Sequence, residues 1–137
     1  MRSRFAIVLV AFSSLSVLCS AQTKHRVVVD LFTGGPEAMK STLGNVANLK
    51  KALAGQPLEV EIVAYGPGID LVLAKNKLFA DRLKKLNADG VEFATCANTM
   101  RTHHISKGQL FPFVKVVPAG VAEVVLKQEE GWSYLRR

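Results

Sequence analysis

Apolar positions follow two rhythms that alternate along the chain. Residues 26–33 are nearly all apolar and β-branched (Val27, Val28, Val29, Leu31, Phe32), the pattern of a strand covered on both faces. Gly34-Gly35 ends that run, and Pro36 fits the first position of a helix, where its missing N–H costs nothing. Met39, Leu43, Val46, Leu49 and Leu53 then recur every three or four residues, one face of a helix closed by Gly55. A second strand is predicted over 58–65, alternating at first and wholly apolar at its end. Gly66-Pro67-Gly68 reads as a tight turn and 69–74 as a short helical segment. A helix over 75–87 follows, with Phe79, Leu83 and Leu86 inward. Gly90 precedes a third strand in which Val91, Phe93 and Thr95 alternate with Glu92 and Ala94, and this strand runs into Cys96. One or two helical turns are predicted over 98–104, a fourth strand over 114–117 and a stop at Pro118. A last helix has Val121, Val124, Val125 and Gln128 along one side, and a final strand covers 132–135.

The resulting order, βαβαβαβαβ, predicts an α/β fold. We expect a flavodoxin-like, doubly wound, mainly parallel five-stranded sheet with helices on both faces. The runs 27–32 and 62–65 belong in its interior. Ligands of such sheets collect at the carboxyl ends of the strands. Gly34-Gly35, Gly66-Pro67-Gly68 and Cys96 all fall at that rim.

The extreme N-terminus reads differently. Arg2 and Arg4 precede an apolar run over 5–18, and Cys19-Ser20-Ala21 offers small residues for cleavage. This is the pattern of a signal peptide over 1–21, leaving a single domain over 22–137 that is periplasmic or secreted. The rivals are an uncleaved anchor, for which the run is short, and a lipid anchor on Cys19, against which Leu18 is bulky. Cleavage leaves no run able to span a membrane, so no stable membrane insertion is expected. It removes Arg2 and Arg4, which lowers the formal net charge from +7 to +5. The basic residues lack interleaved aromatics, so nucleic-acid binding is not expected.

Cleavage also leaves Cys96 as the one cysteine, with no partner for an internal disulfide. Two readings stay open: a reactive thiol, and a small buried hydrophobe. Between a strand end and a helix start, the sulfur would face backbone N–H groups and the positive end of a helix dipole, which favour the thiolate. Asn98 and Thr99 carry side-chain oxygens suited to capping that helix. Arg101 lies about one turn on and would add positive charge if it faces the sulfur. His103 and His104 point apart on a helix and lack further ligands at a useful spacing, so no metal is expected. Gly34 and its neighbours could bind an anion at a helix start, but a plain strand-to-helix turn is the better reading. Gly66, Pro67 and Gly68 read as a turn that can also wall a pocket beside Cys96. Phe111, Phe113, Trp132 and Tyr134 exceed what a small sheet edge readily hides, so some are expected in a subunit interface.

Several of these segments together resemble the DsrE/DsrF-like family. They are Ala64-Tyr65-Gly66-Pro67-Gly68-Ile69-Asp70-Leu71, Gly90 to Phe93 running to Cys96-Ala97-Asn98-Thr99-Met100, Val117-Pro118-Ala119-Gly120-Val121-Ala122-Glu123, and Gln128 with Gly131-Trp132-Ser133-Tyr134. The resemblance spans nearly the whole chain after residue 21 and points to an exported branch. It implies the flavodoxin-like fold, a homo-oligomer (trimer or hexamer), and sulfur carried as a persulfide on Cys96 between a donor and an acceptor protein. Such a carrier needs neither a metal nor an organic cofactor. The competing expectation is a non-catalytic oligomeric binding or assembly module with an inert, buried cysteine.

Overall fold

Each β-branched run becomes a strand, and every strand pair is parallel. The structure, a computed structural model, describes residues 24–137, and the export segment expected at 1–21 lies outside them. Strands β1 (His25–Leu31), β2 (Leu58–Ala64), β3 (Val91–Cys96), β4 (Lys115–Val117) and β5 (Ser133–Arg136) form one sheet in the order β4-β3-β2-β1-β5. The first two strands are interior, as their apolar character requires. Val29, Ile62 and Phe93 stand abreast across β1, β2 and β3, and none is exposed.

Helices α1 (Pro36–Ala52), α2 (Ala80–Ala88) and α3 (Ala97–Thr102), with a 3-10 helix at Gly66–Val72, connect the first four strands. Val29, Leu31, Val60, Ile62, Val91 and Phe93 meet them in the main core. The other face is thinner. There α4 (Gly120–Glu129) lies alone over Val28, Val63 and Ala94, which it covers with Val124. The doubly wound α/β architecture is therefore the expected one, with unequal layers.

The 3-10 helix is held to the end of β1 by close backbone approach. Gly68 donates its N–H to Phe32 O at 3.0 Å, and a Cβ there would lie 2.1 Å from Leu31 O. Only glycine lets the 3-10 helix rest on the strand end.

Three expectations need correction. The helix predicted over 75–87 starts only at Ala80. Asn76 donates from its side chain to Asp70 O at 3.0 Å and from its backbone to Leu73 O at 2.9 Å. This is the side-chain competition that keeps asparagine out of helices. On α4 the expected inward row fails, because Val121 and Val125 are 58% and 51% exposed and only Val124 is buried. The helix instead turns Gly120, Glu123, Val124 and Lys127 to the sheet, because the strands beneath carry acids. The aromatic residues also fit better than expected. Phe111 is buried and stacks on Phe113, which packs against Phe93, and Trp132 joins the α4 cluster, so only Tyr134 is substantially exposed.

The acid beneath α4 is Glu61, whose side chain is 1% exposed and lies 3.0 Å from Lys127 Nζ. That ammonium also sits 4.4 Å from the centroid of the Trp132 ring, a cation–π contact. Burial holds Glu61 above the usual carboxylate pKa, against the pull of Lys127, so ionised Glu61 depends on its partner. We predict that Lys127→Met destabilises the domain by about 3 kcal/mol at pH 7 through the uncompensated carboxylate. Because burial raises the Glu61 pKa and loss of Lys127 removes the main opposing pull, the loss should shrink as pH falls and Glu61 takes up a proton. Urea unfolding of both proteins across pH checks this. A loss that is constant with pH would contradict it.

Candidate functional site

The parallel strands end together, and the rim they form is where the chemistry-bearing residues gather. Along β3, Glu92, Ala94 and Cys96 share one face by strand alternation, and Ala94 faces α4. Cys96 is thus delivered under the start of α4, at the point where β3 passes into α3. It is 5% exposed and has no disulfide partner among the described residues.

The sulfur itself starts α3. Cys96 is the N-cap, and its Sγ accepts from Thr99 N at 3.5 Å. Asn98 and Thr99, expected as capping residues, lie inside the first turn instead. Their own N–H groups favour charge on the sulfur, Thr99 by the bond just given, because a helix leaves its first donors unpaired. The N–H of Gly120, the first residue of α4, also favours the thiolate. Burial would raise the Cys96 pKa. The N–H groups of Gly120, Thr99 and Asn98, with the Thr99 hydroxyl, outweigh it and hold the thiol below its ordinary value. One sulfur therefore serves the starts of two helices.

Thr99 links this cradle to the next loop, because its Oγ1 accepts from Gly66 N at 3.0 Å. Gly34 packs against Pro67, so the loops after β1, β2 and β3 do converge. Gly68 belongs to packing rather than to a surface, being buried against β1. Gly66 and Pro67 wall a cleft of about 320 Å³ together with Ile69, Asp70, His103 and Gln109. A larger cleft of about 400 Å³ lies between Pro36, Met39 and Phe79. Both open on the α1 side of the sheet, and Cys96 lines neither. Arg101 is exposed and hydrogen-bonds Asn98, so it does not supply the sulfur's positive surroundings. His103 and His104 are exposed, and no cluster of three or more metal-ligating side chains occurs among the described residues.

The pattern of the sequence did not reveal a second layer behind the sulfur. Tyr65, just past β2, presses on Gly120, where a Cβ would lie 2.9 Å from its ring. Phe32 flanks Tyr65 with ring centroids 5.5 Å apart. Asp30 of β1 is 9% exposed, and its Oδ2 accepts from the Tyr134 hydroxyl of β5 at 2.7 Å. The available signal was Asp30 itself, a charge in the middle of a strand that otherwise reads as apolar on both faces.

The DsrE/DsrF-like family model matches residues 26–136. A protein of unknown function from Methanobacterium thermoautotrophicum superposes with a TM-score of 0.77 at 30% identity, over 83% of this chain and all of that one. The ychN protein from E. coli superposes with a TM-score of 0.65 at 16% identity, over 84% of this chain and all of that one, a likeness of fold alone. No curated protein matches the sequence.

The cradle makes a direct prediction. Thr99→Val removes a donor to the sulfur and should raise the pH midpoint of Cys96 alkylation by about one unit, since hydrogen bonds to charged groups are worth roughly 1.5–3 kcal/mol. Iodoacetamide labelling rates from acid to alkaline pH measure it. An unchanged midpoint would remove Thr99 from the site.

Proposed function

The chain belongs to the DsrE/DsrF-like family, and we propose that it carries sulfur as a persulfide on Cys96. The observation that supports this most is the convergence of the Gly120, Thr99 and Asn98 N–H groups on a sulfur that burial alone would keep protonated. A carrier cysteine must be a nucleophile when it loads and a leaving group when it unloads. Both roles call for a stabilised thiolate.

In loading, the Cys96 thiolate attacks the outer sulfur of a donor persulfide. The donor S–S bond breaks, its electron pair leaves on the donor thiolate, and the new S–S bond joins the outer sulfur to Cys96. In unloading, an acceptor thiolate attacks that outer sulfur and Cys96 leaves as thiolate. The steps exchange one S–S bond for another without net oxidation, so they need no redox partner, metal or organic cofactor. The donor and acceptor are expected to be proteins.

The 5% exposure of Cys96 favours one alternative, an oligomeric binding module with an inert cysteine. We further propose a homo-oligomer, a trimer or hexamer. Val121, Val125 and Leu126 on the outer side of α4, rather than the aromatics first considered, are its leading contact surface. Export is proposed on the segment over 1–21.

Mass spectrometry of the protein recovered after export reads all three. The chain should begin at Gln22, assemble in multiples of three under native conditions, and gain one sulfur atom from a persulfide donor, lost again on reduction. Cys96→Ser should fold normally and gain nothing. Native protein that refuses sulfur but reacts once denatured would establish the binding-module reading instead.

A further inference from the structure

Behind the Cys96 cradle a buried acid has one oxygen unaccounted for. Asp30 Oδ2 is occupied by the Tyr134 hydroxyl, whereas Oδ1 is buried and has no hydrogen-bond partner. A carboxylate oxygen left in that state costs free energy unless something is held against it. The Tyr65 phenol acts on the same carboxylate. Burial first, and then the neighbouring Asp30 carboxylate, raise the Tyr65 pKa, so this hydroxyl stays protonated and has a proton to donate to the carboxylate. Tyr65 is half-buried, with Asp30 acting on its hydroxyl and the start of α4 against its ring.

The far side of the same ring touches Gly120. A Cβ at residue 120 would meet three atoms of Tyr65 at 2.9–3.0 Å, so the ring and the first residue of α4 are in tight contact. Helix α4 has no side-chain cap, and the N–H of its first residue, Gly120, helps hold the Cys96 thiol below its ordinary pKa. β1, β2 and β3 are neighbours in the sheet. A line of contact therefore crosses them from Asp30 through Tyr65 to Gly120 and the sulfur.

We propose that Tyr65, anchored on Asp30, is a positioning residue that holds the Gly120 N–H on the Cys96 sulfur. Its functional meaning rests on the sulfur-carrier reading, since a better-held N–H makes Cys96 a better leaving group when sulfur is passed on. The other groups near the sulfur leave this role to Tyr65. Arg101 of α3 bonds Asn98, α4 directs Glu123 toward Lys127 and Glu61, β4 offers Val117, and Tyr134 of β5 is spent on Asp30.

The sign of the effect separates this arrangement from simple charge repulsion. If Asp30 acts on Cys96 only through space, Asp30→Asn removes a negative charge and lowers the alkylation midpoint. If Asp30 acts through Tyr65, both Asp30→Asn and Tyr65→Phe loosen Gly120 and raise it.

The test is the pH dependence of Cys96 alkylation by iodoacetamide in the intact protein and in both single variants and the double variant. Sulfur loading is followed by mass in parallel. Each single variant should raise the midpoint by ~0.5 unit or more, part of what a lost hydrogen bond to a charged sulfur is worth. The double variant should add little to the larger single effect, because residues on one line of contact are not additive. A lower midpoint in Asp30→Asn, an unchanged midpoint in Tyr65→Phe, or full additivity would overturn the proposal. Tyr65→Phe keeps the ring and decides alone if Asp30→Asn fails to fold. Midpoints that shift in a protein that never takes up sulfur would sink the carrier reading and keep the positioning role. Sulfur uptake with unmoved midpoints would do the reverse.

Discussion

The in-register parallel pairing of β1, β2 and β3 is the constraint on which the rim depends. Leu31 stands opposite Ala64, and Ala64 opposite Thr95, so three strands stop within one residue of each other. Their following loops must then turn away from the sheet in the same small space. Gly68 lying on Leu31 O and Gly34 lying on Pro67 are the contacts that make room for this. A one-residue slip of β3 would send Cys96 to the opposite face, away from Gly120.

Given that register, the two sides of the sheet do different work. The α1 side carries the larger apolar core and supplies most of the burial. The α4 side is thin and mixes Val28, Val63 and Ala94 with the acids Asp30 and Glu61. Each acid has a specific answer: Lys127 for Glu61, and Tyr134 with Tyr65 nearby for Asp30. Such groups cost desolvation, and their placement specifies how α4 sits. The position of α4 in turn sets where the Gly120 N–H falls.

Much of this was legible in the sequence, where the physics is local. Strand alternation placed Cys96 at the end of β3, and the heptad-like spacing from Met39 to Leu53 located α1. Legibility failed where a residue's partner is distant in sequence. The start of α2 moved to Ala80 because Asn76 binds Asp70 and Leu73 instead of a helical neighbour. The outward valines of α4 could not be foreseen without knowing that its sheet face holds Glu61. Asn98 and Thr99 have the side chains of capping residues, yet the cap is the cysteine itself. Gly120 carries no local sign of its role, because nothing near it in the chain shows that its N–H acts on a sulfur 24 positions earlier.

The chemistry of the rim depends on the ionisation state of Cys96 in the folded protein. Two helix starts and a threonine hydroxyl are set against the cost of burial, and they outweigh it. The direct measurement is the ultraviolet absorbance of the thiolate, titrated from acid to alkaline pH in the native protein, with Cys96→Ser as the blank. A single transition with its midpoint below that of a free thiol, about 8.5, is the result expected. A midpoint at or above that value, or thiolate absorbance that emerges only as the protein unfolds, would contradict it.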